Sequence, residues 1–376
     1  MIHFISRLDF KHIVNKHNGD FRVRTLKCWD QFVHLTLAQL SKRDSLRETV
    51  FSAHTLHTKL YHLGCSLVKR STLSDANNKR PYQIYRDLFF KVLDHTQKIA
   101  PRHKLKINRK IFFLDATTID LCLNLFPWAR FRKTKSAIRL HTLLQADGTL
   151  PVFINISDGK THESKAAKAV PIAQGSYLAI DRGYHDFNQY KVYYDNDIRF
   201  VTRMKTNARY KVLEIKSQSS SQPVRSDMII EFTGHSTHKK CPHRFRKIEY
   251  YSKDQNKILT FLSNDLENGP ETIAAIYKAR WEIELFFKTI KQNLKIKRFF
   301  GTSSNAVFTQ VWIAMITYLM ISFFKFLHKS EHSVQTIFRI IQVNLFERKN
   351  IKELLSVEFT KPPGIEMTLQ FSLFNF

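Results

Sequence analysis

Residues 110–121 read KIFFLDATTIDL. Ile111, Phe112, Phe113 and Leu114 run without a break into Asp115, and Thr117, Thr118 and Ile119 add β-branched residues. An apolar run this short, rich in aromatic and β-branched side chains, predicts a strand buried on both faces. Packing gives such a strand no reason to meet an aspartate, because a buried carboxylate is costly unless it is paired or metal-bound. Working outward, AIRLHTLLQ (137–145) and LPVFINIS (150–157) predict two further strands, joined by the turn Ala146-Asp147-Gly148. THESKAAKAV (161–170) then predicts a helix. SYLAIDRG (176–183) predicts a second buried strand that runs into an acid, here Asp181. HDFNQYKVYYD (185–195) predicts a helix and IRFVTRMK (198–205) another strand.

Three strands, helix, strand, helix, strand is the order of the ribonuclease H fold. The expected class is therefore α/β, with a ribonuclease H-like catalytic core in which helices flank a mixed sheet. In that order the first and fourth strands are neighbours, so Asp115 and Asp181 come to lie side by side. Two carboxylates so placed repel each other, and a divalent cation relieves the repulsion. The catalytic domain is expected over 108–328. A mostly β insertion at about 206–262 interrupts it, read from the Ser-rich KSQSSSQPVRS and the strand-like MIIEFTG, FRKIEYYS and KILTFLS. Residues 1–100 form an expected helical DNA-binding domain, and residues 329–376 an expected C-terminal helical tail. Within the first of these, LHTKLYHLG (56–64) followed by KRSTLSDANNKRPYQ (69–83) outlines a helix-turn-helix, with Ser71 or Ser74 as N-cap and Pro81 as terminator.

Charge narrows the function. The 376 residues hold 60 Lys and Arg against 32 Asp and Glu, a formal charge of +28. Self-repulsion on this scale has no folding purpose and points to a polyanion, nucleic acid first. RFRKTKSAIR (130–139) carries five basic residues and no acid, and reads as a phosphate-contacting loop. Four cysteines, none in CxxC spacing, are too few for a disulfide scaffold. VFTQVWIAMITYLMISFFKFL (307–327) is long enough to span a bilayer. Its Thr309, Gln310, Thr317, Ser322 and Lys325 favour a buried helix, so no membrane is expected. The N-terminus lacks the apolar run of a signal peptide, in keeping with a cytoplasmic, nucleoid-associated protein. No GxxxxGK[ST] phosphate loop is present.

A third acid stands in ETIAAIYKARWEIELFFKTIKQNL (271–294). At about 100° per residue, Tyr277, Arg280, Glu284 and Lys291 fall on one helical face within about 60°. Ile273, Ile276, Ile283, Phe287, Ile290 and Leu294 form a separate apolar stripe. Ordinary i,i+4 pairing accounts for the charges on the first face but not for Tyr277.

These four residues match Y-x2-R-x3-E-x6-K without a gap. In this the chain resembles the bacterial insertion-sequence DDE transposases of the insertion-sequence-four family. FFLDATTIDL and AIDRGYHD resemble that family's two aspartate segments. RSTLSDANNKR (70–80) and IIQVNLFERKNIKELL (340–355) resemble terminal stretches of one of its subgroups. The resemblance implies that Asp115, Asp181 and Glu284 are catalytic and ligate two Mg²⁺ ions, with Mn²⁺ as a substitute. It implies that Tyr277, Arg280 and Lys291 bind DNA phosphate. The implied partners are double-stranded DNA, as transposon ends and target, and a second copy in a homodimer on that DNA. The implied activity is cleavage and strand transfer at terminal inverted repeats. In some members a Trp of the β insertion flips a base. Here the four Trp are Trp29, Trp128, Trp281 and Trp312, all outside it, which leaves Phe232, Phe245, Tyr250 or Tyr251 as candidate stacking wedges. Asp120 is the rival to Asp115, which is preferred because it directly follows the apolar run.

Overall fold

A computed structural model of the chain describes residues 2–132, 134–159, 168, 170–345, 347 and 350–355. The expected helix 161–170 and the chain beyond 355 lie almost wholly outside the described residues. The core is one large mixed sheet. Its first strand, β1 (Ile111–Leu121), pairs antiparallel with β3 (Lys135–Gln145), and β3 pairs antiparallel with both β4 (Leu150–Asp158) and the short β2 (Arg130–Arg132). On its other side β1 pairs in parallel with β5 (Tyr177–Ile180), and β5 in parallel with β6 (Arg199–Arg203). The order is thus β4-β3-β1-β5-β6. Gly148, at φ +66°, supplies the left-handed residue that the turn between β3 and β4 requires. The basic stretch 130–139 is a β-hairpin rather than a loop, with Arg130, Arg132 and Lys135 exposed along it.

The mostly β segment does not stand apart from this sheet. It contributes β7 (Tyr210–Gln218), β8 (Val224–Phe232), β9 (Arg244–Ser252) and β10 (Lys257–Ser263), and β10 pairs antiparallel with β6. The sheet therefore continues β6-β10-β9-β8-β7 without interruption. One buried ion pair fastens the segment to the next helix. Arg246 Nε donates to Asp227 Oδ1 at 2.7 Å and Nη2 to Oδ2 at 2.6 Å, and both side chains are 3% exposed. Arg246 Nη1 also donates to the carbonyl of Asn268, just ahead of that helix, Pro270–Ala279.

The stretch 304–327 is a core helix, Ser304–Leu327, in which Ala306, Val307 and all of Thr309 to Ser322 are buried. Its polar residues have work inside the protein. Gln310 donates to the carbonyls of Lys295 and Arg298 and accepts from Phe300 N–H at 2.9 Å, which shapes the chain between helices. The helices Cys28–Leu40, Arg70–Lys79 and Gln83–Gln97 pack around it, and their apolar residues share one core with the sheet. Asn305 seals that junction by donating to the carbonyls of Asn77 and Arg80 and accepting from Tyr82 N–H. Helix 70–79 starts after Lys69, so neither Ser71 nor Ser74 is its N-cap; Ser71 lies inside the first turn. Its end is as expected, because Arg80 is extended ahead of Pro81. All four cysteines are free.

Removing one member of a buried ion pair leaves the other charge stranded. Asp227→Ala is expected to cost about 3–5 kcal/mol in urea unfolding, and the double replacement Asp227→Leu/Arg246→Met distinctly less. Equal losses in the two variants would show that the pair does not bear on stability in this way.

Candidate active site

The register of two parallel strands sets the first half of the site. Ile111, Phe112, Phe113 and Leu114 of β1 lie against Tyr177, Leu178, Ala179 and Ile180 of β5. All eight are buried, which fixes the register through packing on both faces. Asp115 and Asp181 are the next residues in this register, so they stand at the same level; β5 ends there, whereas β1 runs on to Leu121 with Asp115 opposite Thr142 of β3. Asp115 Oδ1 accepts the N–H of Ala116 at 2.7 Å. Asp181 caps the turn Arg182–Tyr184, its Oδ1 accepting from Gly183 N–H at 3.0 Å. Asp120 is five residues from Asp115 on one strand, so it projects from the opposite face, and it is exposed.

The third acid arrives on a helix that breaks where one continuous helix was expected. Pro270–Ala279 and Trp281–Asn293 meet at Arg280, where Arg280 N–H bonds to Tyr277 and Ile283 N–H to Arg280, three residues back in each case. The tightened turn aims Arg280 inward. Its Nη2 donates to Glu284 Oε1 at 2.6 Å, and its Nη1 reaches across to Asp115 Oδ2 at 3.2 Å. The apolar stripe Ile273, Ile276, Ile283, Phe287, Ile290 and Leu294 is buried as expected. Glu282 adds a tether the sequence reading missed: it accepts from Thr149 Oγ1 at 2.8 Å, and the Thr149 carbonyl accepts from Tyr318. This fixes the helix to the turn between β3 and β4.

The electrostatics follow from this crowding. Burial pushes the Asp115 carboxyl up to about 6; Arg280 opposes the rise, and the nearby charges of Asp181 and Glu284 add to it. Burial also works against the Arg280 charge, but Tyr277, Asp115 and Glu284 outweigh it and hold the guanidinium protonated above its usual range. The Tyr277 hydroxyl is raised, mainly by burial; its ring lies 5.7 Å from the Arg280 guanidinium and 4.8 Å from the ring of Phe261. Lys291 is not part of this network. It is half-buried two turns along the helix, its pKa lowered by burial and by Lys297 and partly restored by Asp120. Among the described residues, no three His, Cys, Asp or Glu side chains stand close enough together to hold a metal. The Arg280 guanidinium is interposed between two of the three acids.

A cleft of about 1010 Å³ opens beside these residues. Asp181, Tyr277 and Arg280 line it, Arg182, Arg203 and Lys253 add positive charge, and Lys278 is paired with Asp254 at 2.6 Å. Tyr250, Tyr251 and the 58%-exposed Trp281 bring aromatic faces to it. Phe232 and Phe245 are buried at 2% and 0%, which removes them as stacking wedges. Arg203 was legible only as the end of IRFVTRMK; its place in the cleft depends on the pairing of β6 with β5 and β10.

Comparison with known proteins identifies the chain. Residues 107–320 match the family described as transposase DDE domain, and residues 1–66 match a domain of unknown function (DUF4372). A Sinorhizobium fredii protein named as a transposase is 28% identical over 296 residues, covering 78% of this chain and 80% of that one. A Geobacillus stearothermophilus protein, named as the transposase for insertion sequence element IS5377, is 27% identical over 252 residues, covering 67% and 66%. A Synechocystis protein, named as a transposase for insertion sequence element IS4SA, is 26% identical over 324 residues, covering 83% and 87%. The DDE match takes in more than half of the chain and contains Asp115, Asp181 and the Tyr277–Lys291 face. The chain belongs to the transposase DDE domain family, and it is a bacterial insertion-sequence DDE transposase.

Proposed function

We propose that this transposase binds the terminal inverted repeats of its insertion sequence, cuts both ends and joins them to target DNA, with Asp115, Asp181 and Glu284 as its catalytic acids. The observation that carries this reading is that Asp115 and Asp181 stand at one level of two adjacent parallel strands, and that Arg280 links Glu284 to Asp115. The order β4-β3-β1-β5-β6 supports a ribonuclease H-like core.

DDE transposases use divalent metal, typically Mg²⁺. The donors here suit such an ion, since three carboxylates offer hard oxygens and Asp115 already has a cation at its side. Asp115, Asp181 and Glu284 would hold two Mg²⁺, with Mn²⁺ able to substitute. Bound there, the metal would supply an activated oxygen nucleophile, water in cleavage and a 3′-hydroxyl in transfer, and would stabilise the leaving oxygen. The protein residues do the rest. Arg280 offers a two-pronged donor that matches phosphate as well as carboxylate, and Tyr277 backs its guanidinium with a ring. Arg203, Arg182 and Lys253 draw the DNA backbone into the cleft, while Tyr250, Tyr251 or Trp281 presents a face to a displaced base. Lys291 would contact phosphate farther along the same helix. The N-terminal helices, with Arg70, Ser71 and Lys79 exposed on helix 70–79, would read the repeat. Two ends to be joined call for a homodimer on DNA, in the cytoplasm at the nucleoid.

Alanine at Asp115, Asp181 or Glu284 is expected to lower Mg²⁺-dependent cleavage of end-bearing DNA by at least about 10²-fold, with binding of that DNA retained in a gel-shift assay. Wild-type cleavage by any of the three variants would refute the assignment. Cutting without joining would instead mark a structure-selective nuclease, and specific end binding without cutting a silent DNA-binding relic.

The Asp115 carboxyl also ties stability to pH in the metal-free protein. An unfolded chain gives up this proton near 3.8 and the folded protein near 6. Between those values the unfolded state binds fewer protons, so the stability this group contributes falls as pH rises through the window and stays lost above it. In EDTA, the Tm of Asp115→Asn relative to wild type is expected to climb between about pH 4 and pH 6 and then level off. A difference that stays constant with pH would contradict a raised Asp115.

A further inference from the structure

Arg280 sits where the acids would otherwise meet. The 2.6 Å bond to Glu284 is an i,i+4 helix pair, which helix geometry alone provides. The 3.2 Å bond to Asp115 is not; it joins residues 165 positions apart and needs the side chain turned back toward the sheet. Arg280 is 11% exposed, and its Nε is buried without a hydrogen-bond partner. A guanidinium desolvated this far, with one N–H unsatisfied, is held by the two carboxylates it bridges. Its charge offsets the repulsion that Glu284 exerts on Asp115.

We infer that Arg280 is a stand-in cation: in the metal-free transposase its guanidinium holds Asp115 and Glu284 in position, and metal can enter only when Arg280 gives up both carboxylates. This rests on the triad reading of the proposed function. The released side chain already borders the basic cleft, where a DNA phosphate offers the same two-oxygen geometry. One positioning residue thereby serves two stations, and metal loading competes with an internal ion pair.

The competition is measurable with Mn²⁺ alone, as loss of the free-ion electron paramagnetic resonance signal on titration into the full-length protein at fixed pH without DNA. Arg280→Ala is expected to bind Mn²⁺ at least about tenfold more tightly than wild type, because no ion pairs need breaking. Arg280→Lys keeps the charge but cannot fork to both acids, and is expected to fall between the two. A residue that merely supported the local structure would leave Mn²⁺ affinity unchanged or lower it on removal. If Arg280→Ala fails to fold by circular dichroism, Arg280→Lys carries the test alone: tighter binding supports the stand-in role, and equal or weaker binding overturns it. The double variant Asp115→Asn/Glu284→Gln separates the two levels. Full Mn²⁺ affinity in that protein would sink the triad reading itself. Loss of affinity there, together with unchanged affinity in Arg280→Ala, would sink only the stand-in role.

Discussion

The parallel pairing of β1 with β5 is the constraint on which the site depends. Four buried residues on each strand fix one register, and a slip of one residue would turn every side chain to the other face. The next residue on each strand, Asp115 or Asp181, inherits that register without any bond of its own having to set it. The rest of the molecule serves this arrangement. Helix 304–327 fills the core beneath the site, the Tyr318–Thr149–Glu282 chain ties the third acid's helix to the sheet, and Asp227 with Arg246 anchors the segment that leads into it.

Charge is divided between two tasks. The chain carries +28 overall, yet its central cluster is acidic, and burial there works against ionisation, as the raised carboxyl of Asp115 shows. The protein places a single guanidinium in the cluster and distributes other cations around the cleft. Under the proposed function, Arg182, Arg203 and Lys253 would draw a polyanionic substrate to the cleft, and the acids would be left for a small, highly charged ion.

Much of this was legible in the chain. The unbroken apolar runs 111–114 and 177–180 gave the central strands, because parallel strands covered on both faces have no polar alternation. Gly148 marked its turn. The polar residues inside 307–327 spoke for a core helix, and Gln310 shows why: its amide satisfies three backbone groups that would otherwise be unpaired. What could not be read was set by contacts distant in sequence. A helical wheel puts Lys291 on the same face as Glu284, and both stand on the unbroken helix Trp281–Asn293, but seven residues are about 10 Å of rise, which leaves Lys291 near Asp120 instead. Phe232 and Phe245 looked available as aromatics, and tertiary packing buried them. That the β segment 206–262 extends the main sheet, through the hydrogen bonds of β10 to β6, had no local signal. Helix 70–79 begins at Arg70 without a side-chain cap, so no capping signal in the sequence could mark its start.

The central claim is that Asp115, Asp181 and Glu284 serve one metal centre. Anomalous diffraction at the manganese edge, from crystals of the transposase bound to end DNA and soaked in Mn²⁺, tests it most directly. A shared centre requires anomalous density contacted by all three carboxylates, with Arg280 moved away from Asp115. Density that leaves out any one of the three, or that lies elsewhere in the molecule, would contradict it.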